Sequence, residues 1–292
     1  ELFPPNWFDK QQNSSHPAYH EYSVLTKITD NIPLRWPEQM DEIPKIGKTI
    51  FNLLAVSTLL GGDATHNKVG SLDSFFKDED VRRHIRTRIL DGAQYEPLMV
   101  ELATASWCKE NGYRIEFIKP VQGERSPDLL VIADPSIPPL ILECKCITTQ
   151  SIKSNPGKKL NDIIGKANKQ IRKGISRLNL PNGCCGVVVI DVTIPLGVER
   201  VADDALPESI EDIKNNVELI LSTHFKSVGA ALIIWEDYMR CGNPPDPTMF
   251  GPRRRFLRIN HKTPSVPIPG DMFLFQGKTL TFWVTWMPRS TV

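Results

Sequence analysis

The chain lacks a Cys-x-x-Cys pair, an apolar run long enough to cross a bilayer, and any appreciable net charge. Each absence excludes something. Its six cysteines are irregularly spaced and mostly sit inside apolar runs, which argues against a disulfide framework and for a reducing compartment. No apolar stretch approaches the ~20 residues of a membrane-spanning helix. Residues 1–20 have neither a basic start nor an apolar stretch, so no secretory leader is expected and the chain reads as soluble and cytoplasmic. With a formal net charge of +1, no whole-molecule field draws it to nucleic acid or to a membrane. Affinity for a polyanion must come from local clusters. Internal repeats and low-complexity tracts are missing too.

What is present is a chain of 292 residues, 40% hydrophobic, enough for one large core or two modest ones. Residues 1–93 read as a mostly helical or irregular region. Ile46, Ile50, Leu53, Leu54 and Val56 give a helical pattern that Gly61-Gly62 stops. Val81, Ile85 and Ile89 mark a second helix from about Asp78 to Leu90, made basic by Arg82, Arg83, Arg86 and Arg88.

Residues 94–240 are more regular. Glu96 to Asn111 reads as a helix closed by Gly112, with Leu98, Leu102, Ala105 and Cys108 on its buried stripe. Strands are expected at Tyr113–Lys119, Leu129–Ala133 and Leu140–Ile147. From Leu160 to Leu178 the apolar residues Leu160, Ile163, Ile164, Ala167, Ile171 and Ile175 keep to one face of a helix. A β-branched strand at Gly186–Val192, a helix over about Ser209–Phe225 and a strand at Ala230–Trp235 follow. This order predicts an α/β core. Residues 241–292 read as a Pro-rich linker (Pro244, Pro245, Pro247, Pro252). It leads to a hairpin of strands Met272–Phe275 and Thr279–Trp286 that packs on the core.

The chemistry is concentrated between residues 127 and 145. Pro127-Asp128 opens one apolar strand, and the next ends in Glu143-Cys144-Lys145. Glu143 and Lys145 are two apart, so a strand points them to one face. A turn centred near Ser136–Ile137 would set Leu130 opposite Glu143 and Asp128 opposite Lys145, with Cβ atoms of opposed residues ~5 Å apart. A one-residue slip would send Asp128 to the other side. Two carboxylates suit Mg²⁺ (or Mn²⁺), which takes oxygen ligands and acidifies a bound water. An ammonium beside them offsets charge building on a phosphate. The plainer reading is that Asp, Glu and Lys at strand ends are common and the D-x₁₄-E-x-K string arises by chance. The apolar runs beside both carboxylates and the flanking helices favour the site.

The leading edge and polar face of the 160–178 helix carry Lys158, Lys159, Lys166, Lys169, Arg172, Lys173 and Arg177 against one acid, Asp162, and Lys153 lies just upstream. A charge run is usually a solvated face, but this imbalance favours phosphate contact. Arg253-Arg254-Arg255 and Arg258 form a second basic cluster that fits nucleic acid or a partner protein equally. Gly47-Lys48-Thr49 is not the end of a phosphate-binding loop, because the first glycine of that motif would fall at Glu42. Cys144 and Cys146 read as core rather than as zinc ligands.

Pro127-Asp128 and Glu143-Cys144-Lys145 together resemble the signature of the PD-(D/E)XK nuclease superfamily. The resemblance covers about residues 94–238. It implies a restriction-endonuclease-like core with a mixed central sheet flanked by helices, and a Mg²⁺-dependent endonuclease acting on DNA, with RNA left open. Asp128 and Glu143 would bind the metal and Lys145 would assist the water. Many members add a glutamate on the preceding helix; here that is Glu101, with Glu96 the second candidate, and a solvated helix-start glutamate is the plainer alternative for each. The resemblance places the basic helix beside the cleft, with Lys153, Lys158, Lys159, Lys166, Lys169, Arg172 and Lys173 on the nucleic acid. Gln170 matches a glutamine of the RecB-type subgroup, but Gly174 stands where that subgroup has tyrosine. Relatives of this fold include bacterial restriction and anti-phage effectors, which implies a helicase or sensor protein as partner. The competing expectation is a catalytically inactive module that keeps the fold and binds nucleic acid or a protein.

Overall fold

The computed structural model describes residues 6–10, 15–19, 52, 79–119, 126–133, 137–147, 156–181, 184–193, 206–240, 250–270 and 272–273. The expected helix near residues 46–60, apart from Asn52, and the C-terminal hairpin, apart from Met272 and Phe273, lie outside them, as does Lys153. The described elements are α1 (Trp7–Lys10), α2 (Glu79–Ile89), α3 (Gly92–Glu110), β1 (Arg114–Phe117), β2 (Leu129–Ile132), β3 (Leu140–Cys146), α4 (Pro156–Arg177), β4 (Gly186–Asp191), α5 (Glu208–Thr223), β5 (Val228–Arg240) and β6 (Phe250–Asn260). The protein is α/β, with a mixed six-stranded sheet flanked by helices.

The strands lie in chain order, β1 to β6. β1, β2 and β3 form an antiparallel meander, β3, β4 and β5 run parallel, and β6 returns antiparallel to β5. Parallel neighbours need a crossover, and α4 and α5 supply the two. Both crossovers step the same way along the sheet, so connections of one hand put both helices on the same face. That face buries Leu160, Ile164, Ala167 and Ile171 of α4 with Ile213, Val217 and Leu221 of α5 against Leu130, Ile141, Val188, Ile190 and Ile233. Each fully buried aliphatic side chain contributes about 1.5–3 kcal/mol of transfer free energy.

The opposite face carries α2 and α3. Val81, Ile85 and Ile89 pack with Leu98, Leu102, Ala105 and Cys108 onto Leu129, Val131, Leu142, Val187 and Leu232. α2 therefore continues the packing of α3 rather than belonging to a separate region. α3 is buried on nearly all sides: Met99, Val100, Ala103, Thr104 and Ser106 are enclosed as well as the expected stripe. Asp91 caps its start by accepting from the Ala93 N–H at 2.9 Å. Its end is closed by Gly112 at φ +80°, with the Tyr113 N–H reaching the Cys108 carbonyl at 3.0 Å. β4 lies between two parallel neighbours and is buried along its whole length, as its β-branched run requires.

Two findings change the sequence expectation. The stretch read as a Pro-rich linker contains β6, which pairs with β5 from Ala230–Asn260 to Arg240–Phe250 and forms an edge of the main sheet. The β2–β3 ladder also pairs Leu129 with Leu142 and Leu130 with Ile141, two residues away from the expected register. A two-residue offset keeps every side chain on its face. Asp128 consequently stands across from Glu143 rather than from Lys145. Among the described residues, no helix is long and apolar enough to cross a membrane.

Candidate active site

The site forms where the β2–β3 pair meets the middle of α3. Asp128, just before β2, is fixed from both sides. Its N–H donates to the Leu142 carbonyl at 3.2 Å, and its own carbonyl accepts from the Ile118 N–H at 3.0 Å. Its carboxylate Oδ2 accepts from the Cys144 N–H at 2.7 Å, which ties the side chain across to β3. Glu143 lies inside β3, between β2 and β4, and is fully buried. Lys145, two residues on, donates through Nζ to Glu143 Oε1. The second oxygen, Glu143 Oε2, is buried with no hydrogen-bond partner. A buried carboxylate oxygen without a donor costs free energy unless a cation or water completes it.

Glu101 comes from α3 and is 4% exposed. Thr104, one turn later, touches Cys144 Sγ at 3.7 Å and anchors the helix on β3. Glu101 is gripped by Arg88 of α2, whose Nη1 and Nη2 each reach one carboxylate oxygen at 2.6 Å. Sequence reasoning placed Glu101 and missed this partner. The signal was available: Arg88 stands seven residues after Val81 and three after Ile85, so it borders the buried stripe of α2. Arg82, Arg83 and Arg86 point to solvent. A small solvent-open pocket lies over this pair, lined by His84, Arg88, Glu101, Lys119, Ser126 and Asp128 among others. Glu96, the second glutamate candidate, lines a different pocket with Trp107 and Arg254.

The electrostatics follow from burial and crowding. Desolvation, then the nearby Glu101 and Glu143 charges, hold the Asp128 carboxyl well above the usual carboxylate range. Burial lifts Glu143 to about 7 despite the opposing pull of Lys145. Burial works against the Lys145 ammonium, but Glu143 and Asp128 outweigh it and keep its pKa above that of an ordinary lysine. Lys145 is therefore a fixed positive charge at neutral pH and a poor proton acceptor. Three carboxylates thus lie within electrostatic reach of one another with two cationic side chains between them. Among the described residues, no group of three His, Cys, Asp or Glu forms a ready metal-ligand set.

α4 crosses this end of the sheet and fixes the segment before Asp128. Gln170 Nε2 donates to the Ser126 carbonyl at 3.3 Å, and Arg177 donates to Ser126 Oγ and to the Lys119 carbonyl at 2.6 Å. Between them a Cβ on Gly174 would come within 2.5 Å of Pro127 Cγ and 2.9 Å of Ile141 Cδ1. Pro127 fills the space that a larger side chain would need, which is why glycine stands there. Lys158, Lys166, Lys169, Arg172 and Lys173 are exposed and Lys159 is half-buried, with Asp162 the one exposed acid on the helix.

The second basic cluster has another fate. Arg254 pairs with Glu236 in the interior, Arg255 lies over the Trp235 ring at 5.2 Å, and Arg258 donates to the Ile268, Pro269 and Met272 carbonyls. These arginines hold the fold together. Cys144 is a core residue, as expected, Cys146 is partly buried against the same cluster, and Cys185 lies in it too. No protein-family model matches the chain, and no curated protein sequence matches it.

Proposed function

We propose that this protein is a divalent-metal-dependent nuclease with a restriction-endonuclease-like core of the PD-(D/E)XK type, acting on DNA. The order α3-β1-β2-β3-α4-β4 supports that core. The observation that carries the activity is the unpartnered, buried Glu143 Oε2 set across from Asp128, with Lys145 on the same face. Two crowded carboxylates whose ionised forms are disfavoured, and an oxygen without a donor, fit a hard cation. Asp128 and Glu143 would hold Mg²⁺ or Mn²⁺, and Glu101 would complete the acidic set. The ion supplies an acidified water and positive charge against the scissile phosphate. Lys145 keeps its proton on Nζ and stabilises the charge that develops there. Gln170 and Arg177 hold Ser126, and so the approach to Asp128, in place. The exposed lysines of α4 track the backbone of the substrate. A bacterial restriction or anti-phage setting, with a separate helicase or sensor subunit, accompanies this reading by analogy of fold to role alone.

The test is a cleavage panel of linear, nicked, supercoiled and single-stranded DNA and of RNA, with Mg²⁺ or Mn²⁺. Wild type is expected to cut DNA, Glu143→Ala to fall to background, and Lys145→Ala to lose about 10²–10³-fold. If every substrate stays intact with wild type, in the presence of any cognate partner, the catalytic reading is wrong.

The ion pairs at Glu101 and Glu143 favour a second reading, a nuclease-fold module that binds nucleic acid without cutting it. Mn²⁺ separates the two. A metal site gives a carboxylate-dependent rise in Tm that grows with metal concentration, and a module without one gives none.

A further inference from the structure

The bidentate Arg88–Glu101 pair bears on how the acidic site fills, an inference that rests on the nuclease reading. Each Glu101 oxygen carries an Arg88 N–H at 2.6 Å, so a divalent ion ligated by Glu101 would press against a guanidinium. Like charges at contact distance in a poorly solvated site repel strongly. The pair is also incomplete, because Arg88 Nε is buried with no hydrogen-bond partner. Even with all three ionised, Asp128, Glu101 and Glu143 carry only one negative charge more than the two positive ones of Arg88 and Lys145. Adding a divalent ion with Arg88 still in place would reverse the sign of the cluster. Arg88 has somewhere else to go: it lines the solvent-open pocket that Asp128, Lys119 and His84 also border.

We propose that Arg88 is an exchangeable counter-ion, which neutralises Glu101 in the metal-free protein and turns into the α2 pocket to meet a substrate phosphate when Glu101 engages a divalent cation. A guanidinium is suited to both partners, since its planar fork matches carboxylate and phosphate alike. Guanidinium and cation then compete for Glu101, and binding of a phosphate relieves the competition. α2 thereby becomes a wall of the active site.

The experiment is a titration of the full chain with MnCl₂ alone, read by calorimetry and by Tm, beside single-turnover DNA cleavage at saturating Mn²⁺. Arg88→Met is expected to bind Mn²⁺ about tenfold more tightly than wild type and to cut at least about tenfold more slowly. Arg88→Lys, which keeps the charge but not the two-point grip, is expected to fall between them. Should Arg88→Met fail to fold, Arg88→Lys decides: tighter Mn²⁺ binding supports the exchange, and unchanged or weaker binding overturns it. If wild type binds Mn²⁺ and cuts DNA while neither variant binds more tightly, Arg88 is a structural prop for Glu101 and only this inference fails. If wild type binds no Mn²⁺ at all, the nuclease reading fails and the exchange with it.

Discussion

Two buried charge clusters sit in the same sheet, and they differ in stoichiometry. Between β5 and β6, Glu236 stands directly opposite Arg254, which donates to it through Nε at 2.8 Å and through Nη2. The guanidinium also lies 5.5 Å from the Trp107 ring centroid. Here one carboxylate meets one cation that is backed by an aromatic face. At the β2–β3 end, three carboxylates share Arg88 and Lys145. Glu101, Glu143 and Glu236 are all buried, so burial of the glutamates does not distinguish the clusters, whereas Arg88 and Lys145 are more exposed than Arg254. The clusters differ most in the surplus of carboxylates over cations at the β2–β3 end, where burial and crowding disfavour the ionised forms of Asp128 and Glu143.

The sharpest way to break this comparison is to neutralise one member of each cluster. Arg254→Met strands Glu236 in the interior and is expected to cost about 3–5 kcal/mol in a urea-unfolding experiment, with the Mn²⁺-induced rise in Tm retained. Glu143→Gln is expected to act in the other direction. The Glu143 carboxyl is raised from 4.5 in the open chain to about 7 when folded, so the folded state binds the extra proton between those values. The stability conferred by neutral Glu143 is complete below the lower value and is lost as pH rises through the upper one. At pH 8 without metal, Glu143→Gln should therefore stabilise the protein by up to about 3 kcal/mol, and at pH 4 by almost nothing. Equal destabilisation by both substitutions at pH 8 would make the acidic cluster an ordinary structural pair.

The helices and inner strands were legible because their periodicities are strong. Val81, Ile85 and Ile89, the α4 stripe and the β4 run appear in the sequence as they do in the fold. Asp128, Glu143 and Lys145 were legible as a group because side-chain alternation survives a two-residue error in register. The register itself was not, since it depends on the path of the connecting turn rather than on the strands. β6 was hidden for a different reason. Gly251 and Pro252 speak against a strand, yet among the described residues β6 is an edge strand, where the N–H that proline lacks can face outward. Arg254 then looked like surface charge because its partner Glu236 is on another strand. Arg88 was overlooked among three solvent-facing arginines of α2, although its position beside the apolar stripe marked it.

The smallest expected effect concerns charge that is not buried at all. Lys166, Lys169 and Lys173 of α4 are exposed, on a helix where Gln170 and Arg177 hold the segment before Asp128. Replacing the three by Ala should shift stability by no more than about 0.5 kcal/mol each, since nothing enclosed is disturbed. Their effect should appear instead in the salt dependence of DNA binding. Each phosphate that a lysine no longer neutralises takes about 0.9 from the slope of log K against log salt, so the triple variant should flatten the slope by up to about 2.7. Fluorescence anisotropy across a salt series, on a duplex and without metal to prevent cutting, measures it. An unchanged slope would make this face a solvated one and move the substrate path elsewhere. A flattened slope with an unchanged unfolding midpoint would separate the exposed charges, which serve binding, from the enclosed Arg254 of β6, which serves the fold.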